Sequence, residues 1–244
     1  METFFTTSEN IQHIIKSFNL TKTLFVSSIL IGEARTGKKS LARHLFPHAH
    51  LVSCKNQKSV EEALEEYDEI ILTDFELLSN PSALNFNNKR IIATANFEGN
   101  STLIDDLFAF IYTMPSLQER PKDVEYLKTL FVNNACKTLQ IDKTTIDKNM
   151  IPVDISTNTQ SLKKSIYLYL TKLTMTQEDI AALSYAYFLE HLEGNDGYRQ
   201  HLSLYEKPLI EAGLKKFGSQ LQLSQILGIN RNTLRKKIHE HNIH

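Results

Sequence analysis

The segment at residues 32–39, GEARTGKK, constrains the fold more than any other part of this sequence. It fits the pattern GxxxxGK, and it stands between the apolar run Ser27–Ile31 and a segment with helical spacing, Lys38–Leu45. Such a loop needs a strand before it and a helix after it, because its backbone N–H groups bind phosphate at the helix start. The motif therefore predicts an α/β fold in which Lys38 reaches the outer phosphate of a ligand.

The rest of the first half alternates strand-like and helix-like runs, as in parallel sheets with flanking helices. Further strands are predicted at residues 50–54, 69–73, 90–95 and 110–114, with a helix at 60–67. From residue 123 to 192 the apolar spacing becomes three and four, which indicates a helical subdomain. The turn cluster GNDG at residues 194–197 is the strongest linker signal. We therefore predict three domains, at residues 1–120, 121–193 and 194–244.

The last of these predicted domains has the turn and capping residues of a helix-turn-helix. Helices are expected at residues 198–205, 208–217, 220–227 and 231–240. Gly228 suits the tight turn before the last helix, and Asn230 can cap that helix. A small core is predicted from Leu223, Leu227, Ile229, Leu234 and Ile238.

Basic residues concentrate in this tail, although the whole chain has a net charge of −1. From residue 214 onward there are six lysines and arginines against one acid, Glu240. This excess suits phosphate binding, although a solvated basic helix face is the plainer reading of any charge run. The candidate base-reading residues are Arg231, Asn232 and Arg235, and the candidate DNA-backbone contacts are Ser219, Thr233, Lys236 and Lys237.

The C-terminal segment GSQLQLSQILGINRNTLRKKIHEHNI resembles the Fis-type helix-turn-helix that ends the NtrC-like regulators. The upstream stretch LYEKPLIEAGLKKF is similar to the helix pair that precedes this motif in the family. That pair forms the dimer core in the family. The resemblance therefore implies a homodimer on a near-palindromic site in double-stranded DNA.

The first part of the chain resembles the AAA+ ATPase domain of the same family. GEARTGKKSLARHLF is similar to the GESGTGKE region, IILTDFELL to the Walker B strand, and RIIATAN to the sensor I strand. The resemblance implies an AAA+-like parallel sheet with a helical lid that binds ATP or ADP with Mg²⁺. The implied nucleotide-binding residues are Gly32, Glu33, Ala34, Arg35, Thr36, Gly37, Lys38, Lys39, Asp74 and Asn96.

Several positions depart from the family pattern. Phe75 replaces the Walker B glutamate, and Glu76 could substitute only if the backbone shifts register, because neighbouring side chains on an extended segment point to opposite sides. Ile104 and Phe110 stand where the family carries two arginines, and Gln160 stands at the sensor II arginine. No string resembling GAFTGA, the loop that contacts sigma-54, occurs in the sequence. These departures predict nucleotide binding without hydrolysis.

We therefore expect a DNA-binding transcription regulator with a degenerate AAA+-like domain. One alternative is an active ATPase that activates sigma-54 RNA polymerase through an atypical surface, and another is an inactive paralogue that modulates a related full-length regulator. Since the sequence has no spanning apolar stretch and no signal-peptide pattern, a cytoplasmic location without a membrane partner is expected. Cys54 and Cys136 suggest neither a disulfide framework nor a zinc site.

Overall fold

The computed structural model describes residues 4–20 and 24–243. The chain forms two compact units, Met1–Thr174 and Met175–His244. The predicted linker at residues 194–197 thus lies inside the second unit, between two of its helices. Within the described residues, no helix is long and apolar enough to cross a membrane.

The first unit contains a five-stranded sheet in which every neighbouring pair is parallel. Its strands are β1 Ser27–Ile31, β2 His50–Ser53, β3 Glu69–Thr73, β4 Arg90–Ala95 and β5 Phe110–Thr113. Their order across the sheet is β2-β3-β4-β1-β5. The predicted α/β fold class is confirmed. Because parallel strands end at one edge, the segments that follow β1, β3 and β4 meet there.

Helices cover both faces of this sheet. They are α1 Glu9–Leu20, α2 Lys38–Leu45, α3 Gln57–Glu66 and α4 Ser101–Leu107. Successive strand residues enter opposite cores, because side chains alternate along a strand. Ile29 and Ile91 join the core that includes α3, whereas Leu30 and Ile92 join the core that includes α1 and α2. The sheet is therefore buried on both sides, as its continuous apolar runs predict.

A helical subdomain completes the first unit. Its main helices are α5 Pro121–Leu139 and α6 Thr159–Thr174, with single 3-10 turns at Lys143–Thr145 and Lys148–Met150 between them. Leu162, Ile166 and Leu170 are fully buried. These residues, whose spacing of four predicted the helix, therefore form its packed face. The start of α6 lies beside the loop that joins β1 to α2.

The second unit consists of α7 Gln177–His191, α8 Gly197–Phe217, α9 Gln220–Leu227 and α10 Arg231–Glu240. The predicted break between residues 205 and 208 was wrong, because α8 continues through Pro208. Proline removes one helical hydrogen bond, but Pro208 is exposed, so the carbonyl it leaves unpaired can face solvent. Burial of Ile210 and Gly213 farther along stabilises the continuous helix.

Candidate nucleotide-binding and DNA-binding sites

The loop between β1 and α2 has a backbone shaped for close approach. Arg35 has φ 63° and Gly37 has φ 100°, both in the left-handed region, and Arg35 is strained there because it has a Cβ. A Cβ added at Gly32 would lie 2.4 Å from the carbonyl oxygen of Met114, so only glycine fits. Thr36 is buried, and its hydroxyl donates to the carbonyl of Glu33 at 3.0 Å. Contacts within the protein therefore hold the shape of this loop.

Lys38 is the central cation of this loop and is only 7% exposed. Its Nζ donates to the carbonyls of Gly32 and Glu33 at 2.6 and 2.7 Å, and to Oδ1 of Asn96 at 3.1 Å. Burial lowers the pKa of Lys38 to about 8, and the charges of Glu76, Asp74 and Glu33 partly oppose this shift. With this pKa, the side chain is still mostly charged at neutral pH.

The chain turns sharply after β3. Asp74 has φ 58°, and a 3-10 turn, Phe75–Leu77, follows it directly. Phe75 is buried against Phe108, with ring centroids 5.0 Å apart in an edge-to-face arrangement. Oε1 of Glu76 accepts a hydrogen bond from Nδ2 of Asn96 at 2.5 Å, whereas its Oε2 is buried with no hydrogen-bond partner among the described residues. The backbone thus leaves the extended conformation at Asp74, and Glu76 lies beside Asn96 at the end of the neighbouring strand.

The helical subdomain is hydrogen-bonded to the loop between β1 and α2. Nδ2 of Asn158, a buried side chain, donates to Oε2 of Glu33 at 2.9 Å and to the carbonyl of Ala34 at 3.1 Å. Thr159 donates its N–H and its hydroxyl to the carbonyl of Arg35, at 3.2 and 2.7 Å. The conformation of the loop and the position of α6 are thus coupled.

A buried ion pair supports the same loop from the lid side. Arg120 donates to the carbonyl of Thr36 at 2.8 Å and pairs with Asp123 at 3.4 Å. Asp123 also accepts hydrogen bonds from the hydroxyl of Thr6 and the N–H of Thr7, both at 2.7 Å. Burial lowers the pKa of Arg120, and the charge of Asp123 opposes this shift. The N-terminal segment, the lid and the loop therefore share one network.

These elements border a cavity of about 1020 Å³. Of the predicted nucleotide-binding residues, it is lined by Ala34, Arg35, Gly37, Lys38, Lys39, Asp74 and Asn96, whereas Gly32, Glu33 and Thr36 shape the loop behind it. Sequence reasoning missed Arg43, Lys55 and Thr159, which also line the cavity. Lys55 follows β2 at the carboxyl edge of the sheet, where ligands of parallel sheets bind. Its position just after a predicted strand could therefore have identified it from the sequence.

The second unit has the predicted turn and caps. Ser219 caps α9 by accepting from the N–H of Gln222 at 3.4 Å, and Asn230 caps α10 by accepting from the N–H of Asn232 at 2.8 Å. Gly228 lies between them with φ 65°, in the left-handed region that glycine favours. The five predicted core residues all belong to the cluster that packs α8, α9 and α10 together. Ile210 of α8 completes its fully buried centre with Leu223 and Leu234.

Most of the candidate DNA contacts on α10 are exposed, but Lys237 forms an ion pair within the second unit. Arg231, Asn232, Thr233, Arg235 and Lys236 are exposed on α10, and Lys236 lies 3.6 Å from Glu240. Lys237 instead turns toward α8, where it pairs with Glu206, whose other oxygen lies 3.2 Å from Nε2 of His241. The hydrogen bond from Lys237, and to a smaller extent that from His241, lower the pKa of Glu206. Lys237 is thus less available to DNA than the exposed side chains of Asn232, Thr233, Arg235 and Lys236 on α10.

Comparison with known proteins agrees with these features. Residues 202–241 match the family described as "Bacterial regulatory protein, Fis family". The DNA-binding transcriptional regulator NtrC of Azospirillum brasilense is 45% identical over 58 residues, which span 22% of this chain and 12% of that protein. NtrX from Brucella abortus in complex with ATP superposes with a TM-score of 0.54 at 14% identity, covering 100% of this chain and 70% of that one. The second unit thus contains a segment similar to the Fis-family helix-turn-helix, and the chain shares its fold with NtrX.

The NtrX structure in complex with ADP gives a similar result, with a TM-score of 0.55 at 14% identity over 98% of this chain and 70% of that one. The segments that resemble Walker B and sensor I in sequence border the cavity described above through Asp74 and Asn96, and the start of α6 borders it through Thr159. The GxxxxGK motif lies at the start of α2, as its pattern predicted. The assignment of individual contacts to nucleotide or DNA remains a prediction.

Proposed function

We propose that this protein is a transcription regulator that binds double-stranded DNA through its second unit. The observation that carries the proposal is the exposed N-terminal half of α10, where Arg231, Asn232 and Arg235 stand clear of the small core. Side chains at the start of such a helix are the ones that reach base edges in the major groove. Lys236 and Thr233, with the N-terminus of α9 at Ser219, would contact phosphates.

The DNA-binding proposal can be tested by selecting bound duplexes from a random library with the full-length protein. The expected product is a near-palindromic site, bound more tightly than random duplex at the same salt concentration. Arg235→Ala should lose this preference, while the exposed, distant Lys58→Ala should keep it. Recovery of no common sequence would contradict specific recognition.

We propose that the regulator is a homodimer whose subunits meet through α7 and α8. None of the residues of α7 is buried within the single chain. Leu183, Leu189 and Tyr198 are 58%, 74% and 80% exposed, and large apolar groups at this density mark protein-protein contacts. Light scattering should give twice the chain mass, and Leu189→Glu should give the monomer mass with an unchanged circular dichroism spectrum. A monomeric wild-type protein at micromolar concentration would contradict the proposal.

We infer that the first unit binds ATP or ADP in the cavity beside the phosphate-binding loop. The internally hydrogen-bonded loop, the buried Lys38 and the cationic lining support this, since a nucleotide would supply phosphates that such groups bind. A titration of the full chain with fluorescent ADP tests the site. Lys38→Ala should abolish binding, whereas binding that survives this change would place the nucleotide elsewhere.

We propose that the nucleotide is held as a ligand and is not turned over. Ile104, at a position where the family has an arginine, is 3% exposed and belongs to the sheet core. No side chain at this position could reach a neighbouring subunit's nucleotide without leaving that core. Gln160, at the sensor II position, is uncharged and cannot stabilise developing negative charge as an arginine does. The nucleotide would then regulate the protein by stabilising its first unit.

ATP hydrolysis is a second candidate, favoured by the position of Glu76. Its unpartnered Oε2 and its hydrogen bond to Asn96 would suit a carboxylate that orients a water molecule. Phosphate release by the wild type, Lys38→Ala and Glu76→Gln decides between the two. Turnover that rises with protein concentration and is lost in both variants would favour hydrolysis, and the absence of turnover with retained ADP binding would favour the first proposal.

The wider role is also a proposal. We infer a cytoplasmic protein that acts on transcription by occupying DNA, with RNA polymerase or a related regulator as a further partner. An active role with sigma-54 polymerase would need a surface other than the GAFTGA loop, which this sequence does not contain. Pull-down of sigma-54 holoenzyme by the DNA-bound protein would support that role.

A further inference from the structure

The cavity beside the phosphate-binding loop has a surplus of positive charge. Its lining includes five cationic side chains and one carboxylate, Asp74; the cations are Arg35, Lys38, Lys39, Arg43 and Lys55. Over the described residues, none of the five forms an ion pair, although ion pairs occur elsewhere in the first unit. Like charges that share a cavity repel one another, so this arrangement favours a strongly anionic ligand.

The nearby carboxylates are already engaged by the protein. Oε2 of Glu33 accepts from Asn158 at 2.9 Å, and Oε1 of Glu76 accepts from Asn96 at 2.5 Å. Oδ2 of Asp74 accepts from the hydroxyl of Ser53 at 3.3 Å. These acids partly offset the burial of Lys38, but they leave Asp74 as the one carboxylate on the cavity wall.

The residue after the loop lysine decides how a metal would fit. Phosphate-binding loops commonly have a serine or threonine there, whose hydroxyl coordinates Mg²⁺. Here that position is Lys39, an exposed side chain on the cavity wall, and an ammonium group cannot coordinate a metal and repels one. Mg²⁺ at nucleotide sites is bound by one or two carboxylates together with phosphates and water. Beside the oxygens of Ser40, Thr94 and Asn96, this lining offers one carboxylate, Asp74, among five cations, and that charge balance disfavours a divalent metal ion.

We propose that the first unit binds its nucleotide as the metal-free polyphosphate anion, with Lys39 and Lys55 supplying the positive charge that magnesium supplies elsewhere. This inference rests on the proposed nucleotide binding and specifies the form of the ligand. It also accounts for a regulator that holds nucleotide without consuming it, because phosphoryl transfer depends on metal ions that neutralise the developing charge.

The experiment is a titration of the full chain with fluorescent ADP and ATP at neutral pH, once with excess MgCl₂ and once with excess EDTA. The expected result is that chelation changes Kd by less than about threefold, since protein cations already neutralise the phosphates. Binding more than about tenfold tighter in magnesium would overturn the inference while leaving nucleotide binding intact. Absence of binding in both buffers would overturn the proposed nucleotide site itself.

A pair of charge reversals tests the two lysines directly. Lys39→Glu with Lys55→Glu should weaken binding in EDTA by more than about tenfold and make binding depend on magnesium. Lys172→Glu, an exposed lysine on α6 outside the cavity, should match the wild type in both buffers. Both altered lysines are exposed, and an unchanged melting temperature would show that the fold is intact. Reversals without effect in EDTA would overturn the assigned role of Lys39 and Lys55.

Discussion

Removal of the carboxylate of Asp123 should destabilise the first unit severely. The side chains of Arg120 and Asp123 are 3% and 1% exposed, and their charged atoms lie 3.4 Å apart. Asp123→Ala would leave the Arg120 guanidinium buried without a counter-charge and would remove the acceptor used by Thr6 and Thr7. Breaking a buried pair in this way costs about 3–5 kcal/mol, a large share of the 5–15 kcal/mol typical of whole domains.

Replacing both partners separates the charge effect from packing. The double variant Arg120→Met/Asp123→Leu has no orphaned charge, so its loss of stability should be smaller than that of Asp123→Ala. It would still lack the hydrogen bond from Arg120 to the carbonyl of Thr36 at 2.8 Å. We therefore expect this double variant to fold but to bind nucleotide more weakly than the wild type, because the loop loses a support.

The assay is urea unfolding followed by far-ultraviolet circular dichroism, which suits a chain without tryptophan. ADP titrations of the same samples report the state of the loop. A loss below about 1 kcal/mol for Asp123→Ala would refute the reasoning. So would a double variant as unstable as the single one, since the cost would then come from packing rather than from the unpaired charge.

Further predictions concern both units. Nucleotide affinity should fall as the pH rises through about 8, because Lys38 is charged below its pKa and neutral above it, whereas Lys38→Arg should show a flat profile over this range. Arg235→Ala should weaken specific DNA binding by about 1–3 kcal/mol in an anisotropy titration. Lys237→Ala should instead lower the melting temperature of the second unit, because it leaves Glu206 without its main partner. The Cys54 thiol, with its pKa raised to about 12 mainly by burial, should resist alkylation at pH 8 until the protein unfolds.

The local elements of both units were predictable from the sequence. An apolar run before a glycine-rich loop predicts a strand and a helix at β1 and α2, because a helix start after such a loop presents its N–H groups to phosphate. Asn230 and Gly228 likewise determine where α10 begins and how the chain turns before it. Such signals depend on residues a few positions apart, and the sequence presents them directly.

Features that depend on distant residues were decided only by the tertiary structure. Glu76 reaches Asn96 because Phe75 fills the core beside Phe108, and no local pattern shows this choice. Lys237 pairs with Glu206, 31 positions earlier, since α10 packs across α8 in the same unit. The sequence by itself determined the elements and the general chemistry of each site, whereas burial and the packing of remote side chains determined which charged groups face the cavity or solvent.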